Sequence, residues 1–478
     1  MELLILPLAL SLVSLIIPKS TRRFAALLGA LASIVIAVVH LTSFHAGAFV
    51  ELFSSNHQTF FRMTYQMGYD GLGLAMILLT NVIVFVILLA NFENVNIASN
   101  KMFNSMVFLM QFALLGVFTS FDLILFYIFW ELSLIPVFLI AFWFGEKDRK
   151  RTLLIFFIYT FIGSLAMLFS IFYIGTLTTG NYDYQTLVDI EMNTKTALVV
   201  CMGFFFAFAV KIPLFPFHTW QPETYTKSPM AGTMLLSGLM LKMALFGILR
   251  WMLPLTPEAY HCYKYVIIVL GLIGVIYAAV IAMKQNDLKK IFAYASISHV
   301  GLIAAGLMIL SIDAFTGAVV QMVNHAFVAV GLFLAADIID RRLGRRDIQT
   351  LGGIAVKAPK FAFWFAVICF AAVSVPLTSG FIGEFLLIKE LFTDNAWIGV
   401  LIGTTLILAC VYTFRAYQLS MYGKESSFNF NDLTITEIIT FAIISIIVVV
   451  FGIYPQLLID LVKPSLETIL MTIKESSI

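Results

Sequence analysis

The stretch VKIPLFPFHTWQPET, residues 210–224, places Pro213, Pro216 and Pro222 inside a largely apolar run that also holds Lys211. A mid-helix proline removes a backbone hydrogen bond and clashes with the turn before it. Groups freed in this way persist within a bilayer only where they are buried in protein or line a wet cavity. A second stretch, VSVPLTSGFIGEF at 373–385, repeats the device with Pro376, Gly380 and Gly383. Both contain a Pro-Leu step. Interrupted helices at matching places in two halves of a chain are the sequence pointer to an inverted-repeat transporter. Two independent proline kinks would look the same.

The rest of the chain supports a membrane reading. Its 478 residues are 61% hydrophobic and 12% charged, and the mean hydropathy is +0.99. Soluble domains carry about 25% charged residues, so lipid must be much of the solvent. At about 20 apolar residues per span, the apolar runs predict an all-α integral membrane fold of about fourteen helices. They fall at 2–17, 24–44, 74–92, 104–120, 122–144, 152–176, 196–224, 229–251, 264–283, 291–310, 315–335, 361–389, 397–418 and 436–458. The two proline-broken spans are then helices 7 and 12, five apart. This divides the chain into helices 1–3 (1–103), one five-helix repeat (104–251, helices 4–8), a second (264–418, helices 9–13), and helix 14 with a short tail (436–478). The tail after 459 is expected to form one short amphipathic helix.

Most of the 29 Lys and Arg residues lie in loops after odd-numbered spans, above all at Lys147–Arg151 and Arg341–Arg346. Lys and Arg are retained on the cytoplasmic side, so both termini are expected outside the cytoplasm. The basic cluster Lys19, Arg22, Arg23 follows the first apolar run rather than preceding it, as in an uncleaved span and not a signal peptide. A net charge of +2 gives no argument for nucleic acid. The four cysteines (Cys201, Cys262, Cys369, Cys410) show no paired spacing and read as packing residues. No glycine fingerprint for a nucleotide is present, and neither a metal nor a redox cofactor is expected in the chain itself.

Ionisable groups inside spans are the sharpest chemical signal. Each costs about 3 kcal/mol at a helix centre and needs a compensating reason to be there. They are Glu131 in helix 5, Lys211 in helix 7, Lys242 in helix 8, His299 in helix 10, His325 in helix 11 and Glu384 in helix 12. Glu384 lies nearer the end of its span than the others. Coming from six helices, they suit a row along the membrane plane better than one small pocket. Burial and opposite charge pull the proton affinity of such groups in opposite directions, so a buried Lys can switch as a carboxylate approaches or leaves. Glu131 and Lys211 are the natural switching pair, Lys242 the midpoint, His299 and His325 relays, and Glu384 the far terminal. The structural alternative is a set of static pairs holding helices together. His218 and Glu223, at the end of broken helix 7, read as lining a cytoplasmic entrance or as ordinary interface groups, and Asp122 as a turn residue.

Taken together, WELSLIPVF (130–138), KIPLFPFHTWQPETYTKSP (211–229), LLSGLMLKMALFGILR (235–250), DLKKIFAYASISHVG (287–301) and PLTSGFIGEF (376–385) resemble the antiporter-like membrane subunits of respiratory complex I, the proton-pumping NADH:quinone oxidoreductase. The resemblance runs over about helices 4 to 13. It implies two inverted repeats, each with a broken helix, around a polar axis. It also implies a Glu131–Lys211 pair, a central Lys242, axis positions His299 and His325, and a terminal ionisable group at Glu384. Glu384 stands where most family members have Lys, and no long lateral helix follows helix 14. Both departures point to the M-type branch. The resemblance further implies neighbouring membrane-arm subunits as partners and a bacterial cytoplasmic membrane as the location. NAD, flavin, iron–sulfur clusters and quinone would then belong to those partners. Subunits of sodium/proton antiporters and membrane-bound hydrogenases share the pattern, and a non-pumping scaffold is the rival from another class.

Overall fold

The computed structural model of the chain describes residues 1–54, 65–423 and 428–476. The helices are α1 (Glu2–Val13), α2 (Arg22–Ser43), α3 (Gly71–Ala90), α4 (Lys101–Thr119), α5 (Leu123–Phe144) and α6 (Arg149–Leu177). Next come α7 (Thr194–Lys211, then Trp220–Lys227), α8 (Met230–Leu255), α9 (Tyr260–Lys284), α10 (Leu288–Gly306) and α11 (Ile312–Leu343). The chain ends with α12 (Pro359–Ala372, then Ser379–Asp394), α13 (Ala396–Met421), α14 (Ile435–Ile453) and α15 (Gln456–Ser476). A two-stranded antiparallel hairpin, Val50–Phe53 with Met67–Tyr69, lies in the polar segment expected to leave the membrane. Arg62 and Lys424, used in the charge argument, lie outside the described residues.

The all-α membrane class holds, but the count of fourteen is larger than length and hydropathy support alone. Among the described residues eleven helices are long and apolar enough to cross a bilayer. The exceptions are α1, which is short, α12, which is divided, and α10, whose first turn carries Lys289 and Lys290. The divisions fall where the prolines predicted. Helix α7 stops at Lys211, and the Trp220 indole N–H bridges the break to the Val210 carbonyl at 2.9 Å. Helix α12 stops at Ala372, and Ser374 and Leu377 take positive φ values of 56° and 77° before Ser379 restarts it. A milder break falls at Ser133 in α5, where Pro136 cannot donate to the carbonyl four residues back.

Burial grades from the rim to the centre. Only 28% of the apolar window of α2 is buried and 33% of that of α13, against 100% for α8 and 94% for α11. The two innermost helices are thus those that carry Lys242 and His325. Two π-helical turns, Leu236–Met240 and Ile248–Met252, flank the α-helical segment of α8 that bears Lys242. Such turns mark functional sites often enough to be read as a signal. The tail helix begins three residues before 459 and folds back on its own bundle. Val462, Leu466, Ile469 and Ile473 form its buried stripe, and the Ser465 hydroxyl accepts from the Gly71 N–H at 3.0 Å.

Candidate functional site

Lys242 is fully buried, and its ammonium donates to the Ser237 carbonyl and to His325 Nδ1, each at 2.7 Å. A lysine ammonium has donors only, so His325 Nδ1 accepts and the His325 proton sits on Nε2. That Nε2 has no partner among protein atoms. The His299 ring lies 6.3 Å away, centroid to centroid. Between them is a cavity of about 20 Å³, lined by both histidines, Ser296 and Tyr412. A space of this size has room for about one water, with the two imidazoles, Ser296 and Tyr412 as polar partners in an otherwise apolar wall.

Beyond the cavity the row closes up. His299 Nδ1 bonds Glu384 Oε1 at 2.9 Å, and its Nε2 lies 3.3 Å from the Tyr412 hydroxyl. The same Glu384 oxygen accepts from Gln321 Nε2 at 2.9 Å. Gln321 in turn accepts from Asn324, and Asn324 accepts from Ser379 at the restart of α12. This approach of α11 to α12 needs glycine: a Cβ on Gly383 would stand 2.9 Å from the Gln321 nitrogen. Glu384 is 2% exposed, yet it forms the floor of an apolar cleft of about 340 Å³ between α12 and α13. The donors along the row point the same way, from Lys242 through His325 and His299 to Glu384, with one gap at the imidazole pair.

Glu131 and Lys211 are not brought together. The Lys211 ammonium sits 5.0 Å above the Trp130 ring, a cation–π contact. Neighbouring residues on a helix are about 100° apart around its axis, so Trp130 facing Lys211 turns Glu131 away. Glu131 is half-buried, beside Ser164 of α6 and within electrostatic reach of Lys211, and it makes no ion pair among the described residues. Asp122 is an N-cap, accepting from Ile124 and Leu125 N–H. His218 is buried and stacks on Phe215, while Glu223 reaches Lys290 at 2.7 Å near the surface.

Sequence reasoning missed the neutral partners. Gln321, Asn324 and His325 recur at intervals of three and four, which puts them on one face of α11; that spacing was the available signal. It also missed the pairing of Arg250, which lies inside the span 229–251. The residue is buried in α8 and paired with Asp70 at 2.6 Å. No cluster of three or more His, Cys, Asp or Glu that could hold a metal occurs among the described residues.

Two broken helices around a buried row of lysine, histidine and glutamate define the antiporter-like class of membrane proteins. The family model described as NADH:quinone oxidoreductase/Mrp antiporter, TM matches residues 120–409. The chain belongs to that family. It is 32% identical to NADH-ubiquinone oxidoreductase chain 4 of Arabidopsis thaliana, covering 98% of this chain and 96% of that one. Against NADH-quinone oxidoreductase subunit M of Rhodobacter capsulatus the identity is 31%, over 84% and 81%. Among solved structures, a chain of respiratory complex I from Thermus thermophilus with bound NADH superposes with a TM-score of 0.91, at 26% identity over 99% of both chains. A chain of the Mrp complex from Dietzia sp. DQ12-45-1b shares the fold at a TM-score of 0.87 and 18% identity, over 100% and 99%. These similarities support the M-type reading of the chain.

Proposed function

We propose that the chain is a proton-translocating membrane-arm subunit of a proton-pumping NADH:quinone oxidoreductase. The observation that carries this is the row from Lys242 to Glu384. A proton given by the Lys242 ammonium to His325 Nδ1 is matched by release of the His325 Nε2 proton across the small cavity. His299 takes it at Nε2 and passes its Nδ1 proton to Glu384, so one proton advances and none accumulates. The imidazoles then reset by exchanging tautomers. Moving one charge against 100 mV costs about 2.3 kcal/mol, which fixes the size of the affinity change that partner subunits must impose.

In this reading the chain does no redox chemistry, and NAD, flavin, iron–sulfur clusters and quinone are handled by partners, with other antiporter-like subunits beside it. Residues 104–251 and 264–418 are the two inverted repeats, and Lys211 with Glu131 is the switch that loads the row. The location is a bacterial cytoplasmic membrane with both termini outside the cytoplasm. The test is NADH-driven proton uptake by inverted vesicles, with co-purifying subunits identified by mass spectrometry. Uptake that persists without sodium and NADH-oxidising partners are expected. Sodium-dependent exchange with no such partners would overturn the reading.

A further inference from the structure

Lys289 is the second residue of α10 and is 2% exposed, yet it pairs with no carboxylate among the described residues. Its ammonium donates instead to two backbone carbonyls, Ser228 at 2.8 Å and Thr226 at 3.3 Å. Both lie at the C-terminal end of the second half of α7, Trp220–Lys227. The last carbonyls of a helix have no partner within it, and the negative end of the helix dipole favours a cation there. That end is where α7 gives way to α8, and the α10 lysine fills it.

The face of the half-helix turned into the protein carries an unusual set of groups. His218 Nδ1 and the Ser228 hydroxyl are buried without a hydrogen-bond partner among the described residues, and the Gln221 side chain has only the neighbouring Tyr225 hydroxyl, which also lies near Ser237. Buried polar groups are nearly always paired, so this run of under-satisfied groups on one short segment marks a face that is completed in another position or by water. The segment is held at its start by the Trp220 indole on the Val210 carbonyl, in its middle by Thr233 on the Tyr225 carbonyl, and at its far end by charged groups. Besides Lys289, Lys290 reaches Glu223 at 2.7 Å at the surface, and the Lys227 carbonyl accepts from the Glu146 N–H at 2.9 Å.

We propose that Lys289 is a positioning residue that latches the second half of α7 to α10, and that its release admits water from the cytoplasmic side to the polar face beneath. The proposal rests on the functional reading above for what the opening serves and for which side it faces. Lys289 and His299 share α10 ten residues apart, about 15 Å along the axis. A shift of α10 that breaks the His299–Glu384 bond therefore moves the latch as well, linking water access beside α7 to the proton row.

The test is labelling of Gln221→Cys by a membrane-impermeant maleimide in inverted vesicles holding the whole complex. Gln221 is fully buried, so slow labelling is expected. Lys289→Met should speed it about tenfold, because a hydrogen bond from a charged group is worth about that factor or more. Lys289→Arg, which keeps charge and donors, should restore slow labelling. Glu223→Gln, which removes only an exposed pair, should change it less than about threefold. Unchanged labelling in an assembled Lys289→Met complex would overturn the latch. So would loss of assembly in both Lys289 variants, which would make the residue a folding group. Labelling is read without turnover, so failure here leaves the proton reading standing, whereas sodium-dependent exchange would sink that reading and leave the labelling pattern unaltered.

Discussion

The two ends of the buried row are built differently. Around α10, α11 and α12 the groups already touch: Lys242 to His325, His299 to Glu384, and Glu384 to Gln321. Around α5 and α7 they do not. Lys211 rests on Trp130, and Glu131 faces Ser164 of α6. In the first set only the gap between the two imidazoles separates groups already at contact distance, while the second set needs motion before it can exchange charge. The breaks supply room for that motion, at Ser133 next to Glu131 and directly after Lys211. The contrast suggests a division of labour, with a preassembled conductor running from Lys242 on α8 to Glu384 on α12 and a mobile loading switch on α5 and α7.

Removing the switch should have the largest effect. A step that no longer carries charge at mid-membrane forfeits about 2.3 kcal/mol per 100 mV, close to fiftyfold in rate. Lys211→Ala and Glu131→Ala are each expected to cut quinone-linked activity and proton uptake more than about tenfold. Electron transfer from NADH to a hydrophilic acceptor should be unchanged. If the two groups pair during turnover, the double variant is no worse than either single one. Additive losses would mean that they never meet and would erase the difference between the two ends.

Next in size is the terminal of the conductor. Glu384→Gln keeps the shape of the site and its bond from Gln321 but loses the titratable oxygen. Proton uptake should fall about tenfold while native gels show an intact complex. Glu384→Lys should recover part of it. Full pumping in Glu384→Ala would take the residue out of the row. The smallest effect belongs to Tyr412→Phe, which removes one hydrogen bond to His299. With such bonds worth about 1 kcal/mol, uptake should drop no more than about fivefold. A larger loss would place the Tyr412 hydroxyl in the proton path itself.

The features visible in the sequence were those with a high energetic cost. Prolines in apolar runs and charges at mid-span are expensive, so Pro213, Pro376, Lys211, Lys242 and Glu384 announced themselves. The neutral groups that complete the row, Gln321, Asn324, Ser379 and Tyr412, are cheap in any helix and gave only a spacing on α11. Depth was readable but direction around the helix was not, which is why Glu131 and Lys211 read as a contact pair when it is Trp130 that meets the Lys211 ammonium. Arg250 shows the same limit from the other side. Its place near a span end gave no sign of a partner, yet the turn of α8 buries it against Asp70 among the Phe121, Tyr184 and Phe246 rings.

The most direct measurement is proton uptake per NADH oxidised in inverted vesicles carrying Lys242→Met, with assembly followed on native gels. Lys242 is the head of the row and the only charged group on the innermost helix between its two π-helical turns. The complex should assemble, hydrophilic-acceptor reduction should match the unmodified complex, and the proton-to-NADH ratio should fall. An assembled Lys242→Met complex that pumps at the unmodified ratio would show that protons do not travel through Lys242, His325, His299 and Glu384.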